Sequence, residues 1–279
     1  MILCEGRMIC MKQSLKKAIA KRNSSLYGWL IYLFLYLPII IIIIFSFNTD
    51  ERNIRLKEFT TEWYSVLPTD HSLLESFGNT LLVTGASVVL SVIIGTLAAY
   101  GMWKYKFKGK GLLNAMLYMI IVIPEIVLGI AMLSIYTLAQ LPMGLLTLIL
   151  SHTTFCIPFV ILTVRGTLYG FDRSLEEASM DLGVSPVKTF FKVTLPIIRP
   201  GVISGAFLAI TLSLDNFVIT SFVNGPKIRT LPLKIMEEIR TGIKPDVNAL
   251  VTIILVVVFI AITFSQTGIL DKLKKKIRK

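Results

Sequence analysis

The chain has 279 residues, 54% of them hydrophobic and only 16% charged, and yet it carries a net charge of +12. Soluble domains run to about 25% charged residues, so a disordered basic tail is excluded for want of polar mass and a soluble nucleic-acid binder is disfavoured. Cys4, Cys10 and Cys156 are too few for a disulfide scaffold, which leaves an integral membrane protein whose positive charge is confined to particular segments.

A basic arm, residues 1–26, comes first. From Asn23 to Thr49 no Asp, Glu, Lys or Arg occurs, and the same holds from Ser76 to Trp103. A helix rising 1.5 Å per residue crosses the ~30 Å hydrocarbon layer in about 20 residues, so each run holds one span. The first apolar run is longer than a signal-peptide core and no Ala-x-Ala site follows it, which predicts a retained helix. From Gly111 to Val164 only Glu125 interrupts the apolar sequence, and Gln140-Leu141-Pro142-Met143-Gly144 supplies the turn that divides it. Pro200 to Pro226 carries Asp215 alone, and Val247 to Leu270 is uncharged. The prediction is an all-α integral membrane protein with six transmembrane helices at 27–47, 76–102, 112–139, 143–164, 197–223 and 247–270, then a basic tail, 271–279.

Lys and Arg set the orientation. The arm, the second-to-third connection, the fourth-to-fifth connection and the tail together hold 21, whereas the two opposite connections hold 8. Both termini are therefore expected in the cytoplasm.

The connection 165–195 is the most patterned of these segments. Ser174-Leu175-Glu176-Glu177 has the form of a capping box, which predicts a short helix from Leu175 to Leu182 ended by Gly183. Ser185-Pro186 restarts a helix, and Pro196 is expected to break it before the membrane. Leu175, Ala178 and Leu182 share one face, and Val187, Phe190 and Phe191 share another. That apolar surface has two destinations, the protein's own helices or a groove in a soluble partner.

Glu177-Ala178-Ser179, three residues, Gly183, nine residues and Val193-Thr194-Leu195-Pro196 resemble the EAA motif of permease subunits in bacterial ABC importers. Ser179 and Val193 depart conservatively from it. The resemblance implies a type I ABC importer permease fold in which this loop is a coupling helix seated in a cytoplasmic ATPase. Glu177, Ala178, Ser179, Gly183, Leu195 and Pro196 would serve that coupling. No Walker A pattern occurs, so the chain is expected to be non-catalytic and without a cofactor, the ATP and Mg being bound by the partner ATPase.

Two carboxylates fall inside the predicted spans, Glu125 after Pro124 and Asp215 in Ser213-Leu214-Asp215-Asn216. Each costs roughly 2.5–3.5 kcal/mol at mid-helix on insertion scales, so a role in a pathway is the default reading, with a polar pairing inside the bundle as the alternative. Acids without an embedded Lys or Arg suit a cationic solute, a proton or a metal ion. His152 stands alone in the fourth span and reads as a hydrogen-bonded packing residue; no catalytic or metal constellation accompanies it.

Residues 27–270 also resemble the spermidine/putrescine permeases of type I ABC importers, C-type component. The likeness rests on Thr61-Glu62-Trp63-Tyr64, Tyr105–Lys110, Ser151–Phe159, Ser221–Pro226, Leu231–Ile235 and Pro245–Leu250. It implies a bacterial inner-membrane subunit paired with a homologous permease, two copies of an ABC ATPase and an extracytoplasmic polyamine-binding protein, within membrane lipid and with no nucleic acid. It also implies a substrate pathway that includes Trp63, Glu125, Ser213, Asp215 and Asn216. Asn216 replaces a second acid found in relatives. The competing classes are an importer for another cationic solute and a secondary transporter that needs no ATPase.

Overall fold

In a computed structural model of the chain, residues 27–50, 55–226, 228–241 and 245–266 are described. The predicted arm and tail, 1–26 and 271–279, lie outside them. Apart from one isolated antiparallel bridge between Asn48 and Phe59, the described residues build helices and turns. They belong to two compact units, residues 1–69 with 241–279, and residues 70–240.

The first unit contains α1 (Tyr27–Phe45), α2 (Glu62–Val66) and α12 (Pro245–Gln266), the last packed against α2. α1 is exposed along its length within the chain, as befits an apolar helix whose surroundings are lipid or another subunit. Beyond it, Asn48 organises the connection from a buried position. Its side chain donates to the Arg55 carbonyl at 2.7 Å and accepts from the Lys57 N–H at 2.8 Å. Phe47 stacks on Phe59 at 5.0 Å and meets Tyr64 at 5.2 Å.

The second unit begins with α3 (His71–Lys104), whose N-cap Asp70 accepts the Leu73 N–H at 2.9 Å. That cap starts the helix ahead of the predicted 76. At 1.5 Å per residue, 34 residues reach about 51 Å, well beyond the hydrocarbon layer, so both ends project. α4 (Lys110–Val122), α5 (Glu125–Leu138), α6 (Leu145–Leu168), α7 (Ser174–Asp181), α8 (Pro186–Thr189), α9 (Leu195–Leu214), α10 (Val218–Val223) and α11 (Leu231–Thr241) follow.

α3, α6 and α9 pack together as the core of this unit. The inward stripe of α3 is small and hydroxylic, including Ser76, Thr80, Thr84, Ser87, Ser91 and Gly95. In an apolar solvent helices associate by close packing rather than by hydrophobic exclusion, so small residues mark the contact. A Cβ at Gly95 would lie 2.7 Å from Val160 of α6, and Gly201 and Gly205 of α9 bring their backbone against the same helix. Ser76 and Thr80 satisfy their hydroxyls on the carbonyls four residues back, which removes the cost of burying them.

Three expectations change. The segment 112–139 is not one helix: Ile123-Pro124 turns the chain by 113° between α4 and α5, because Pro124 offers no N–H to continue the ladder. The fifth segment is likewise divided, α9 ending at Leu214 and α10 beginning at Val218. At Pro196 the opposite holds, and no break occurs. A π-turn over Phe190–Thr194 joins α8 to α9, and Pro196 falls in the first turn of α9, a position at which proline is tolerated.

Among the described residues, four helices are long and apolar enough to cross a membrane, or five if α4 and α5 together form one broken span. α12 adds a shorter apolar stretch, Pro245–Ile260.

Candidate functional site: two carboxylates and the loop 165–195

Glu125 opens α5 at the 113° bend. A carboxylate there is favoured by the free N–H groups and positive end of the helix. Asp215 is the exposed C-cap of α9, where the helix dipole opposes a negative charge; local folding therefore gives no reason for an acid. The two carboxylates lie within electrostatic reach of each other, and among the described residues neither is ion-paired. The break between α9 and α10 presents Asp215 beside the bend that presents Glu125, so both positions depend on interrupted helices.

Ser213 and Asn216, either side of Asp215, turn inward. They line a small pocket with Thr84, His152 and Thr230. His152 Nδ1 is 2.8 Å from the Ser213 hydroxyl and Nε2 is 3.0 Å from that of Thr220. Thr220 donates to the Asn216 carbonyl at 2.6 Å, and the Asn216 side chain accepts the Ile219 N–H at 3.1 Å. Both imidazole nitrogens are thus engaged, in keeping with a packing role for His152, and Asn216 caps the first turn of α10. Trp63 belongs to the first unit. Its indole N–H donates to the Asn48 carbonyl at 2.7 Å, and the residue is half-buried.

The connection 165–195 forms α7, α8 and the π-turn. α7 starts one residue earlier than expected, with Arg173 as N-cap and without the Ser174–Glu177 capping box. Instead the Asp172 carboxylate accepts the Ser174 N–H at 3.0 Å, and hydrogen bonds from this segment hold its pKa below the ordinary value. The predicted stop is present: Gly183 has φ +81°, its N–H reaches the Met180 carbonyl at 2.9 Å, and Val184 N–H reaches Ser179 at 3.2 Å. This pair of bonds is a Schellman ending, which needs a residue at ease with positive φ.

Glu177 and Ala178 point outward, and Ser179 bonds Thr189 at 3.1 Å. Leu195 and Pro196 belong to the first turn of α9. The apolar faces do not fold inward as a set. Phe190 is buried against Tyr100 at 4.7 Å, but Leu182 is 85% exposed and Val187 68%, with Leu175 and Phe191 also exposed.

What α7 buries is an acid. Glu176 accepts hydrogen bonds from Tyr100 at 2.9 Å and from Thr194, and its other oxygen pairs with Lys104 at 3.0 Å. Burial pushes this carboxyl up, but the bonds from Thr194, Lys104 and Tyr100 outweigh it and hold the pKa below its usual value. Helical periodicity in an eight-residue segment gives this role to leucines. The partners of Glu176 lie up to 76 positions away, so no local pattern marks it.

The chain belongs to the family described as the binding-protein-dependent transport system inner membrane component, which it matches over residues 91–279. It is 41% identical over 244 residues to the spermidine/putrescine transport system permease protein PotC of Escherichia coli K12, covering 88% of this chain and 92% of that relative. It is 37% identical to the putrescine transport system permease protein PotI of the same organism, over 80% of this chain and 82% of PotI. The fold matches a chain of a bacterial ABC transporter that imports the acidic polysaccharide alginate, with TM-score 0.70 at 18% identity, covering 90% of this chain and 96% of the other.

Proposed function

We propose that the chain is the permease subunit of an ATP-driven importer for polyamines of the spermidine/putrescine class in a bacterial inner membrane. Residues 27–270 act as one six-span domain, with α4 and α5 as a single broken span and α12 as the sixth. The basic arm and tail lie in the cytoplasm. A homologous permease completes the pathway, two ATPase copies bind the ATP and Mg, and an extracytoplasmic binding protein delivers the substrate.

The observation that carries this reading is the pair Glu125 and Asp215, close enough to repel and unpaired by any cation among the described residues. Like charges in a poorly solvated setting raise each other's energy. A flexible chain of charge +2 to +3 relieves both at once and is drawn to them, whereas an anion is repelled. Trp63, in the exterior segment, helps to receive the delivered cation, for which an aromatic ring is a suitable partner. Ser213 holds the His152 ring through its hydroxyl, and Asn216 lowers the negative charge by one relative to a site with a second acid. The names of the 41% and 37% identical relatives support the substrate class.

Coupling uses the loop 165–195. Glu177, Ala178, Ser179 and Gly183 present the outer surface of α7 to the ATPase, while Leu195 and Pro196 carry its displacement into α9. ATP closure moves the loop, the bundle opens outward to receive the polyamine, and hydrolysis returns it inward.

Uptake of labelled spermidine by cells expressing the full transporter tests this. Asp215→Asn is expected to cut uptake at least about tenfold, equivalent to ~1.4 kcal/mol of lost interaction, with assembly intact. Unchanged uptake would remove Asp215 from the pathway. Competition by inorganic cations in place of putrescine would favour the second reading, an importer for another cationic solute.

A further inference from the structure

Where α3 ends, a cavity of about 180 Å³ is lined by Met102, Trp103, Lys110, Arg165 and Tyr169. Nearby basic residues are already engaged: Lys104 with Glu176, and Arg173 with the Trp103 ring at 4.6 Å and its carbonyl at 2.8 Å. Lys110 and Arg165 differ. The Lys110 ammonium reaches only the Tyr105 carbonyl at 3.3 Å. Arg165 donates to the Asn114 side-chain oxygen at 2.7 Å and to the Tyr169 hydroxyl at 3.4 Å. All of these acceptors are neutral, and among the described residues neither cation has a carboxylate partner.

Two partly buried positive charges lining one cavity repel each other, and an anion between them removes that cost. A guanidinium held from one side by Asn114 keeps further N–H donors for phosphate oxygens, and a lysine adds a point charge. The location narrows the source of the phosphate. Trp103 and Tyr169 are amphipathic rings of the kind that settle at headgroup depth. Apolar side chains flank the site along both helices, with Leu97 of α3 52% exposed and Leu112 of α4 69% exposed, enough to accompany acyl chains. We propose that this cavity is a binding site for the phosphate headgroup of an anionic phospholipid. The proposal requires a bilayer but no particular transported solute, so it stands apart from the polyamine assignment.

The test is lipid retention by the full chain, purified with its partner subunits and placed in phosphatidylcholine nanodiscs doped with phosphatidylglycerol, read by native mass spectrometry after release. Lys110→Gln with Arg165→Gln is expected to lower bound phosphatidylglycerol at least tenfold. Lys106→Gln with Lys108→Gln, which removes the same charge from exposed positions outside the cavity, is expected to leave it within twofold. Equal loss in the two pairs would reduce the effect to diffuse surface charge and overturn the site. Unchanged retention in the first pair would overturn it as well. Should that pair fail to fold, Lys110→Gln alone is expected to lose at least threefold and Arg165→Lys to retain lipid, and the reverse order overturns the proposal. Inorganic phosphate that displaces phosphatidylglycerol at millimolar concentration would assign the cavity to a soluble anion and likewise overturn the lipid assignment.

Discussion

Lys104 Nζ and Glu176 Oε2 lie 3.0 Å apart, joining the last residue of a membrane-spanning helix to the first turn of α7. Tyr100 bridges the pair, accepting from Lys104 at 2.6 Å and donating to Glu176 at 2.9 Å. Thr194 brings the start of α9 to the same carboxylate. The loop 165–195 is thus bound to two long helices through one acid.

Removing one member strands the other. Breaking a buried ion pair costs about 3–5 kcal/mol, and the partial exposure of Lys104 places Lys104→Met toward the low end. Glu176→Ala is expected to lower the melting temperature of the detergent-solubilised chain more than Lys104→Met does. The double variant Lys104→Met, Glu176→Leu should recover part of the loss. If each single variant melts like the parent, the clamp contributes nothing.

The same carboxyl makes a pH prediction. Its folded pKa lies below the ordinary value of 4.5, so its contribution is full above about that pH and is lost as pH falls through the folded value. A pH series of melting temperatures should therefore fall on acidification, and Glu176→Gln should flatten that part of the curve. Parallel curves for parent and variant would contradict the assignment.

Gly183 is needed for its backbone. At φ +81° a Cβ costs about 1–2 kcal/mol, so Gly183→Val is expected to fray the end of α7 and reduce uptake while leaving the helix bundle folded. Asn tolerates this region better, and Gly183→Asn should recover part of the activity. Equal uptake by the Val variant and the parent would show that the Schellman ending is dispensable.

Glu177 tests the outward surface. It is exposed and contributes no contact to the clamp, so Glu177→Lys should leave chain stability within ±0.5 kcal/mol while weakening copurification of the ATPase at least about tenfold. Undiminished copurification would exclude Glu177 from that contact. Leu182→Ser, at an 85% exposed position, should act in the same direction through lost apolar contact.

The apolar helical segments, though not their number as spans or their unbroken extent, were written in uncharged runs long enough to cross a bilayer, a constraint that does not depend on neighbours. The Gly183 stop was legible for a similar reason, since it is a local requirement of the backbone. Tertiary structure alone decided how those segments are interrupted and joined. Pro124 bends the chain, whereas Pro196 sits in the first turn of α9 and does not. It brought Glu125 within reach of Asp215, 90 positions on, and turned Glu176 inward while leaving Leu182 outside. An eight-residue helix cannot bury both faces, and the choice of face depends on what awaits it. Here a lysine, a tyrosine and a threonine from two long helices offered hydrogen bonds to an acid.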